Sequence, residues 1–335
     1  MTRVAVLGSG SWGTGFSLVL ADAGNEVTLW ARRPELAQLV DARHENPDYL
    51  PGVRLPDAVR GTADAEAALH GAEVVVIAVP SQTLRDNLAR WAPLLPERAV
   101  LVSLMKGIEL GTTRRMTEVV AELTGAGPER IAAVSGPNLA REIAARQPAA
   151  SVVACADEEV ATRLQSVMMT PHFRPYTNVD VVGVELGGAV KNVIALAAGM
   201  AEGLGWGDNT KASIITRGLA ETTRLGVALG AQPLTFSGLA GLGDLVATCM
   251  SPLSRNRTFG EKLGRGMTVE QIVAESRQVA EGVKSCQSIL QLAQAHGVDV
   301  PIVEHVVSVV RDNVPPLEMA RSLMTRSAKP EVRIR

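Results

Sequence analysis

The sequence predicts an α/β fold: a doubly wound, mostly parallel sheet, followed by an all-helical domain. Three observations carry that prediction. Short, continuous β-branched runs alternate with helical patterns as far as Asn178. A glycine-rich turn follows the first of these runs directly. Beyond Asn178 the β-branched runs give way to Ala, Leu, Gln and Glu at helical spacing. The chain has 335 residues, and at about 150 residues per domain that length suits two domains. The boundary is placed near Asn178, giving domains over 1–178 and 179–335.

The strand candidates come first. Arg3–Leu7 (RVAVL), Glu26–Trp30 (EVTLW), Glu73–Val79 (EVVVIAV), Ala99–Ser103 (AVLVS), Ile131–Val134 (IAAV) and Ala150–Ala154 (ASVVA) are apolar throughout or nearly so. Parallel strands covered on both faces read in this way, because neither face meets water. Helix candidates in the second domain are Val181–Leu204, Lys211–Leu229, Val269–Ala274, Val283–His296 and Ile302–Val310. The uncharged stretch Leu225–Gly243 holds five glycines and a proline. It reads as a helix end plus a glycine-rich loop, and no membrane span is predicted. The tail Arg321–Arg335, with five basic residues and one acid, reads as a solvated or frayed end.

Composition excludes several classes. A chain that is 46% hydrophobic and 20% charged is globular rather than disordered. Thirty-three basic residues stand against 35 acidic ones, a formal net charge of −2, and aromatics make up 3%. That balance argues against a nucleic-acid partner, by charge and by the scarcity of stacking platforms. The three cysteines (155, 249, 286) form no Cys-x-x-Cys, and the five histidines form no His-Glu-x-x-His. No disulfide framework and no metal site are expected. That cysteine usage predicts a reducing, cytoplasmic setting, and the first strand candidate, starting at Arg3, is expected to leave no room for a signal peptide.

Gly8-Ser9-Gly10-Ser11-Trp12-Gly13 is a G-x-G-x-x-G between the first strand and a small-residue helical stretch. In this Rossmann-type context Gly8 permits the tight turn and Gly10 admits a pyrophosphate. Gly13 lets the helix pack close to the sheet, and the helix N-terminus offers free N–H groups. The second strand decides the cofactor. An acid at its end would bond a ribose 2′-hydroxyl. Here Trp30 is followed by Ala31, Arg32 and Arg33, with no acid before Glu35. Guanidinium groups pair with phosphate, so NADP is predicted as the preferred cofactor over NAD.

Other polar groups gather at the carboxyl ends of the strands, where ligands bind in such sheets. Pro80 and Ser81 follow the third run, and Lys106 follows the fourth, as a surface lysine or a ligand contact. Ser135-Gly136-Pro137-Asn138 follows the fifth. In the second domain Gly187 and Gly188 lie inside a long apolar helix, at a cost of about 1 kcal/mol each relative to alanine. A backbone or ligand must approach closely there. Lys191 and Asn192 follow at once. At about 100° per residue, Glu185, Lys191, Asn192 and Glu202 share one polar arc. Periodicity admits a solvent face or an active-site face equally. Asp244 and Thr248 are spaced to share a helix face, ahead of Ser254-Arg255-Asn256-Arg257, a plausible phosphate-holding group.

Taken together these residues resemble the bacterial NAD(P)-dependent glycerol-3-phosphate dehydrogenases, over nearly the whole chain. The glycine turn is shared by many dehydrogenases. The specific part is the combination of AVPSQ at 78–82, KGIE at 106–109, SGPN at 135–138, the block Lys191–Glu221, GLGDL at 241–245, SRNR at 254–257 and Val279–Gly282. Met105 and Leu139 stand where Thr and Phe are expected, and Leu139 would alter a pocket wall. The resemblance implies reversible hydride transfer between NAD(P)H and dihydroxyacetone phosphate, giving sn-glycerol 3-phosphate for phospholipid synthesis, by a homodimer. It implies that Lys191 exchanges the proton, that Lys106 binds and polarises the substrate, and that Asp244 and Thr248 sit beside Lys191. Ser254, Arg255 and Asn256 would hold the substrate phosphate, with Gly136, Asn138 and Asn192 also in contact. Gly8, Gly10, Ser11, Trp12, Gly13, Arg32, Arg33, Pro80, Lys106, Ala140, Arg255, Val279 and Glu281 would line the cofactor site. Burial lowers the pKa of a lysine and a neighbouring carboxylate raises it, and the residue pattern leaves that balance for Lys191 open. Rival readings are a two-domain reductase for another hydroxyacid and a sensor that binds cofactor without catalysis.

Overall fold

The computed structural model describes residues 1–275, 280–325, 327–328 and 330. Eight strands form one sheet: β1 Arg3–Leu7, β2 Glu26–Trp30, β3 Val59–Thr62, β4 Val74–Ile77, β5 Val100–Ser103, β6 Ile131–Ser135, β7 Ala149–Cys155 and β8 Phe173–Asn178. Their order is β3-β2-β1-β4-β5-β6-β7-β8. All pairs are parallel except β6 with β7. Seven helices accompany the sheet: α1 Ser11–Asp22, α2 Pro34–Arg43, α3 Ala65–Leu69, α4 Leu84–Trp91, α5 Met116–Thr124, α6 Ala140–Ala144 and α7 Glu158–Met168.

The continuous apolar runs have the expected cause. Val4 and Val6 of β1, Val74 and Val76 of β4, and Val100 and Val102 of β5 enter the core on one face of the sheet. Ala5 and Leu7, Val75 and Ile77, and Leu101 enter a second core on the other face. Side chains alternate across a strand, so a strand with helices on both sides needs apolar residues at every position. The edge strands β3 (VRGT) and β8 (FRPYTN) were not among the candidates. Each has water on one side and lacks the apolar run. Pro175 is tolerated in β8 because an edge strand can forgo a ladder donor.

Eight helices complete the described chain: α8 Val181–Gly203, α9 Asp208–Ala228, α10 Asp244–Met250, α11 Arg255–Gly264, α12 Val269–Glu275, α13 Glu281–Ala295, α14 Pro301–Asp312 and α15 Pro316–Met324. The axis of this half is α8, buried from Gly183 to Ala201. It is the one described helix long and apolar enough to cross a membrane, and 89% of its apolar window is buried inside the protein. Leu186, Ile194, Leu196 and Met200 are among its fully covered side chains, each stabilising the fold by about 1.5–3 kcal/mol.

One expectation needs correction here. Within Leu225–Gly243, the chain after α9 forms a short 3₁₀ helix over Pro233–Ser237 and a π-helical turn over Leu239–Gly243 rather than an open loop. The tail residues Arg321, Ser322, Met324 and Thr325 are exposed, as a solvated end requires, although the chain is helical as far as Met324, with Leu323 packing on the core and His305 Nε2 pairing with Ser322 Oγ at 2.8 Å.

Candidate active site

Parallel register brings the strand ends to one edge. Leu7 pairs with Trp30 and Ile77, and Ile77 pairs with Ser103. The residues that follow each strand therefore emerge side by side. Gly8 makes the first turn at φ +126°, in the region that favours glycine. A Cβ there would lie 2.5 Å from the Ala78 carbonyl oxygen, and one on Gly13 would lie 2.0 Å from the Gly8 carbonyl oxygen. At Gly10 nothing lies within 4 Å. The turn is thus closed on the sheet side and open at Gly10. No side chain caps the first turn of α1, so its N–H groups face that opening. A pyrophosphate fits these requirements, and Ser11 and Trp12 are placed to border it. The indole Nε1 of Trp12 is buried with no hydrogen-bond partner among the described residues.

Arg32 and Arg33 follow β2 and are exposed. Arg33 pairs with Asp48, a partner the sequence did not suggest. That pair holds the Arg33 guanidinium above its usual pKa. Pro80 sits in the turn after β4. The adjacent Ser81 hydroxyl donates to Glu281 at 2.8 Å, which joins this turn to the start of α13. Ala140 opens α6 and lies beside Gly15 of α1. Leu139 caps α6 from the N-terminal side, and Met105 is buried in the core. Val279 lies outside the described residues.

The chemistry gathers around Asp244, which is 1% exposed. Lys191 donates to its Oδ1 at 2.5 Å and to Thr248 Oγ1 at 2.7 Å. Lys106 donates to its Oδ2 at 2.6 Å and to the Gly136 carbonyl at 3.0 Å. Four elements build the cluster: the end of β5, the turn after β6, α8 and α10. Burial pushes the Lys191 ammonium down to about 8, and the positive charge of Lys106 adds to this against the pull of Asp244. Desolvation therefore wins the balance that the residue pattern left open.

The glycines of α8 make this meeting possible. A Cβ on Gly187 would lie 2.4 Å from the Ala240 carbonyl oxygen, and one on Gly188 would lie 2.5 Å from Ser135 Oγ. The first contact seats the π-helical turn that delivers Asp244. The second seats α8 against the end of β6. Ser135 Oγ is buried and has no hydrogen-bond partner among the described residues.

Of the remaining residues, Asn192 adjoins this cluster as the neighbour of Lys191, and Asn256 is bonded to Asn192. Asn138 donates to Ser151 Oγ at 3.1 Å, and its buried Oδ1 lacks a partner among the described residues. Asn256 donates to Asn192 Oδ1 at 2.8 Å and accepts from Gly282 N at 2.9 Å, tying α11 to α8 and α13. Ser254 caps α11, its hydroxyl accepting from Arg257 N at 3.2 Å. Arg255 is exposed at the start of that helix. The polar arc of α8 is buried at Glu185, Lys191 and Asn192 and reaches solvent only at Glu202. Glu185 is buried and accepts from Arg115 Nη1 at 2.6 Å and from Thr117 N at 2.9 Å. Glu202 accepts from Lys211 at 2.8 Å. Sequence reasoning did not single out Arg115 or Asp48, since an exposed-looking charge gives no sign of its partner.

Comparison with known proteins finds relatives over nearly the whole chain. Residues 3–161 match the model of the NAD-dependent glycerol-3-phosphate dehydrogenase N-terminus, and residues 180–321 that of the C-terminus. A glycerol-3-phosphate dehydrogenase (NAD(P)+) of Streptomyces griseus is 65% identical over 331 residues, covering 99% of this chain and 98% of that one. One of Thermobifida fusca is 64% identical over 332 residues, covering 99% of each. The crystal structure of glycerol-3-phosphate dehydrogenase from Coxiella burnetii superposes with a TM-score of 0.92 at 37% identity, over 97% of this chain and 99% of that chain.

Proposed function

The chain belongs to the NAD-dependent glycerol-3-phosphate dehydrogenase family, and from that premise we propose how its residues divide the work. The reaction is reversible reduction of dihydroxyacetone phosphate to sn-glycerol 3-phosphate with NAD(P)H, which supplies the backbone for phospholipid synthesis. The nicotinamide, when bound, supplies the hydride to C2 of the ketone. The carbonyl electron pair moves onto oxygen as that bond forms. Lys191 donates the proton to the developing alkoxide, and in reverse its neutral amine takes the hydroxyl proton.

One observation carries this reading: two lysines share one buried carboxylate where the sheet edge meets α8. Two ammonium groups against one carboxylate leave an excess positive charge. That excess suits an anionic phosphate ester whose ketone becomes an alkoxide. Lys106 binds and polarises the substrate oxygen. Asp244 and Thr248 aim Lys191. Arg255 and Asn256 hold the substrate phosphate, with Ser254 fixing the start of α11. Gly136, Asn138 and Asn192 complete the wall.

The glycine turn, with Gly8, Gly10 and Gly13, cradles the cofactor pyrophosphate beside Ser11 and Trp12. Arg32 and Arg33 read the 2′-phosphate and favour NADP. Pro80, Ala140 and Glu281 line the rest of the cofactor site. The working form is a cytoplasmic homodimer, and the three buried, unpaired cysteines suit a reducing compartment. The test of the whole reading is oxidation of NADPH, followed by its absorbance, with dihydroxyacetone phosphate as acceptor. The same assay is run with NADH and with unphosphorylated dihydroxyacetone. Turnover requires the phosphate ester and is faster with NADPH. Equal rates with the unphosphorylated ketone would remove Arg255 and Asn256 from their assigned role.

A further inference from the structure

The turn that carries Asp48 is anchored to the cofactor-binding turn. Asn46 is 1% exposed, and its Nδ2 donates to the Ser9 carbonyl at 2.9 Å and to Thr14 Oγ1 at 2.8 Å. Its Oδ1 accepts from Tyr49 N at 3.3 Å, and its carbonyl accepts from Leu50 N at 2.8 Å. Leu50 is itself buried. Asp48 therefore sits on a short turn whose two ends are fixed relative to Gly8–Gly13. From that position its carboxylate pairs with Arg33, both side chains being about half exposed. Arg33 also caps α2, so its backbone has little freedom to carry the guanidinium elsewhere. Among the described residues no carboxylate pairs with Arg32.

We propose that Asp48 is a specificity-determining residue that moderates the preference for NADP over NAD by occupying Arg33. The inference rests on reading Arg32 and Arg33 as the groups that meet the 2′-phosphate. A 2′-phosphate must draw Arg33 away from Asp48 or share it, and it also meets the negative charge of Asp48 itself. A ribose 2′-hydroxyl meets neither penalty. It also needs an acceptor, which the end of β2 does not supply and a nearby carboxylate does. An exposed ion pair is weak, so Asp48 tempers the binding of NADPH rather than blocking it. One carboxylate outside β2 thus keeps both cofactors usable at a site whose strand end otherwise favours one.

The test is equilibrium binding of NADPH and NADH, followed by nicotinamide fluorescence, to the full chain and to Asp48→Asn, Asp48→Ala and Arg33→Ala. In both Asp48 variants the ratio of the NADH Kd to the NADPH Kd rises by about threefold or more, the scale of one exposed ion pair. In Arg33→Ala the ratio falls. A rise in the Asp48 variants below that size, or a fall, overturns the role of Asp48 while a falling ratio in Arg33→Ala leaves the arginine reading standing. An unchanged ratio in Arg33→Ala overturns both.

Discussion

Lys106 and Lys191 donate to opposite oxygens of the same carboxylate, Asp244, at 2.6 and 2.5 Å. One lysine comes from the end of a strand and the other from the middle of a buried helix. Burial raises the cost of charging Lys191, and the neighbouring Lys106 adds to that cost. Asp244 keeps both in place. The arrangement yields a lysine, Lys191, whose pKa is pushed down to about 8.

Lys191→Ala should lower turnover by at least about 100-fold, the usual scale for losing a general acid. Lys106 stays paired with Asp244 in the variant, so no buried carboxylate is left alone and the fold should survive. Steady-state NADPH oxidation with dihydroxyacetone phosphate measures the loss. A fluorescence titration should show NADPH binding close to that of the parent chain. Activity retained in full would sink the assigned role.

The pH profiles of the two directions should mirror one another. Reduction needs the charged form of Lys191, and its pKa lies at about 8. The kcat/KM for dihydroxyacetone phosphate should therefore fall as pH rises through that value. Oxidation of glycerol 3-phosphate needs the neutral form and should rise over the same range. An inflection at 10.5, the ordinary lysine value, would mean that burial does not tune this group.

Gly187→Ala should behave against its propensity. In an open helix the change stabilises by up to about 1 kcal/mol. Here the new Cβ would lie 2.4 Å from the Ala240 carbonyl oxygen. The π-helical turn must shift, and Asp244 follows it directly in sequence. Thermal melts should show a lower Tm, and kcat should drop out of proportion to the lost stability. An unchanged Tm and kcat would show that the turn yields without moving Asp244.

Glu221 makes stability depend on pH without touching the site. Its carboxylate accepts from Ile302 N at 2.9 Å at the start of α14, and burial still pushes its pKa up to about 7. The folded state binds this proton more tightly than the unfolded one. Its contribution is thus complete below about pH 4.5 and is lost as pH rises towards 7. The loss is of order 3 kcal/mol. Glu221→Gln should remove that slope, so its Tm relative to the parent chain should climb between those pH values. Parallel Tm curves would count against the shift.

The central strands were legible because a strand covered on both faces has to be apolar at every position. The edge strands β3 and β8 were not, since one open side removes that demand and leaves Pro175 permissible, while Gly61 packs against α2, where a Cβ would lie 2.3 Å from the Ala37 carbonyl oxygen. The same asymmetry holds at the site. The glycine turn announces itself, because a tight turn, an open approach and a close helix each exclude a Cβ. Lys106, Lys191 and Asp244 were picked out by motif and resemblance. Nothing local to any one of them states that they converge. The polar arc of α8 shows the limit plainly: spacing put Glu185 and Lys191 on one side, and packing against α5 and α10 decided that the side is buried.

By itself the sequence determined the alternation that builds the sheet, the phosphate-binding turn and the long apolar helix, because each follows from steric and hydrophobic demands a few residues in range. Only the tertiary structure decided which charges meet. Burial of Lys191 below its ordinary pKa, the sharing of Asp244 by two lysines, and the hold of Asp48 on Arg33 all depend on distances between residues far apart in the chain. Electrostatic energies are set by those distances and by exclusion of water, and neither is written in local spacing.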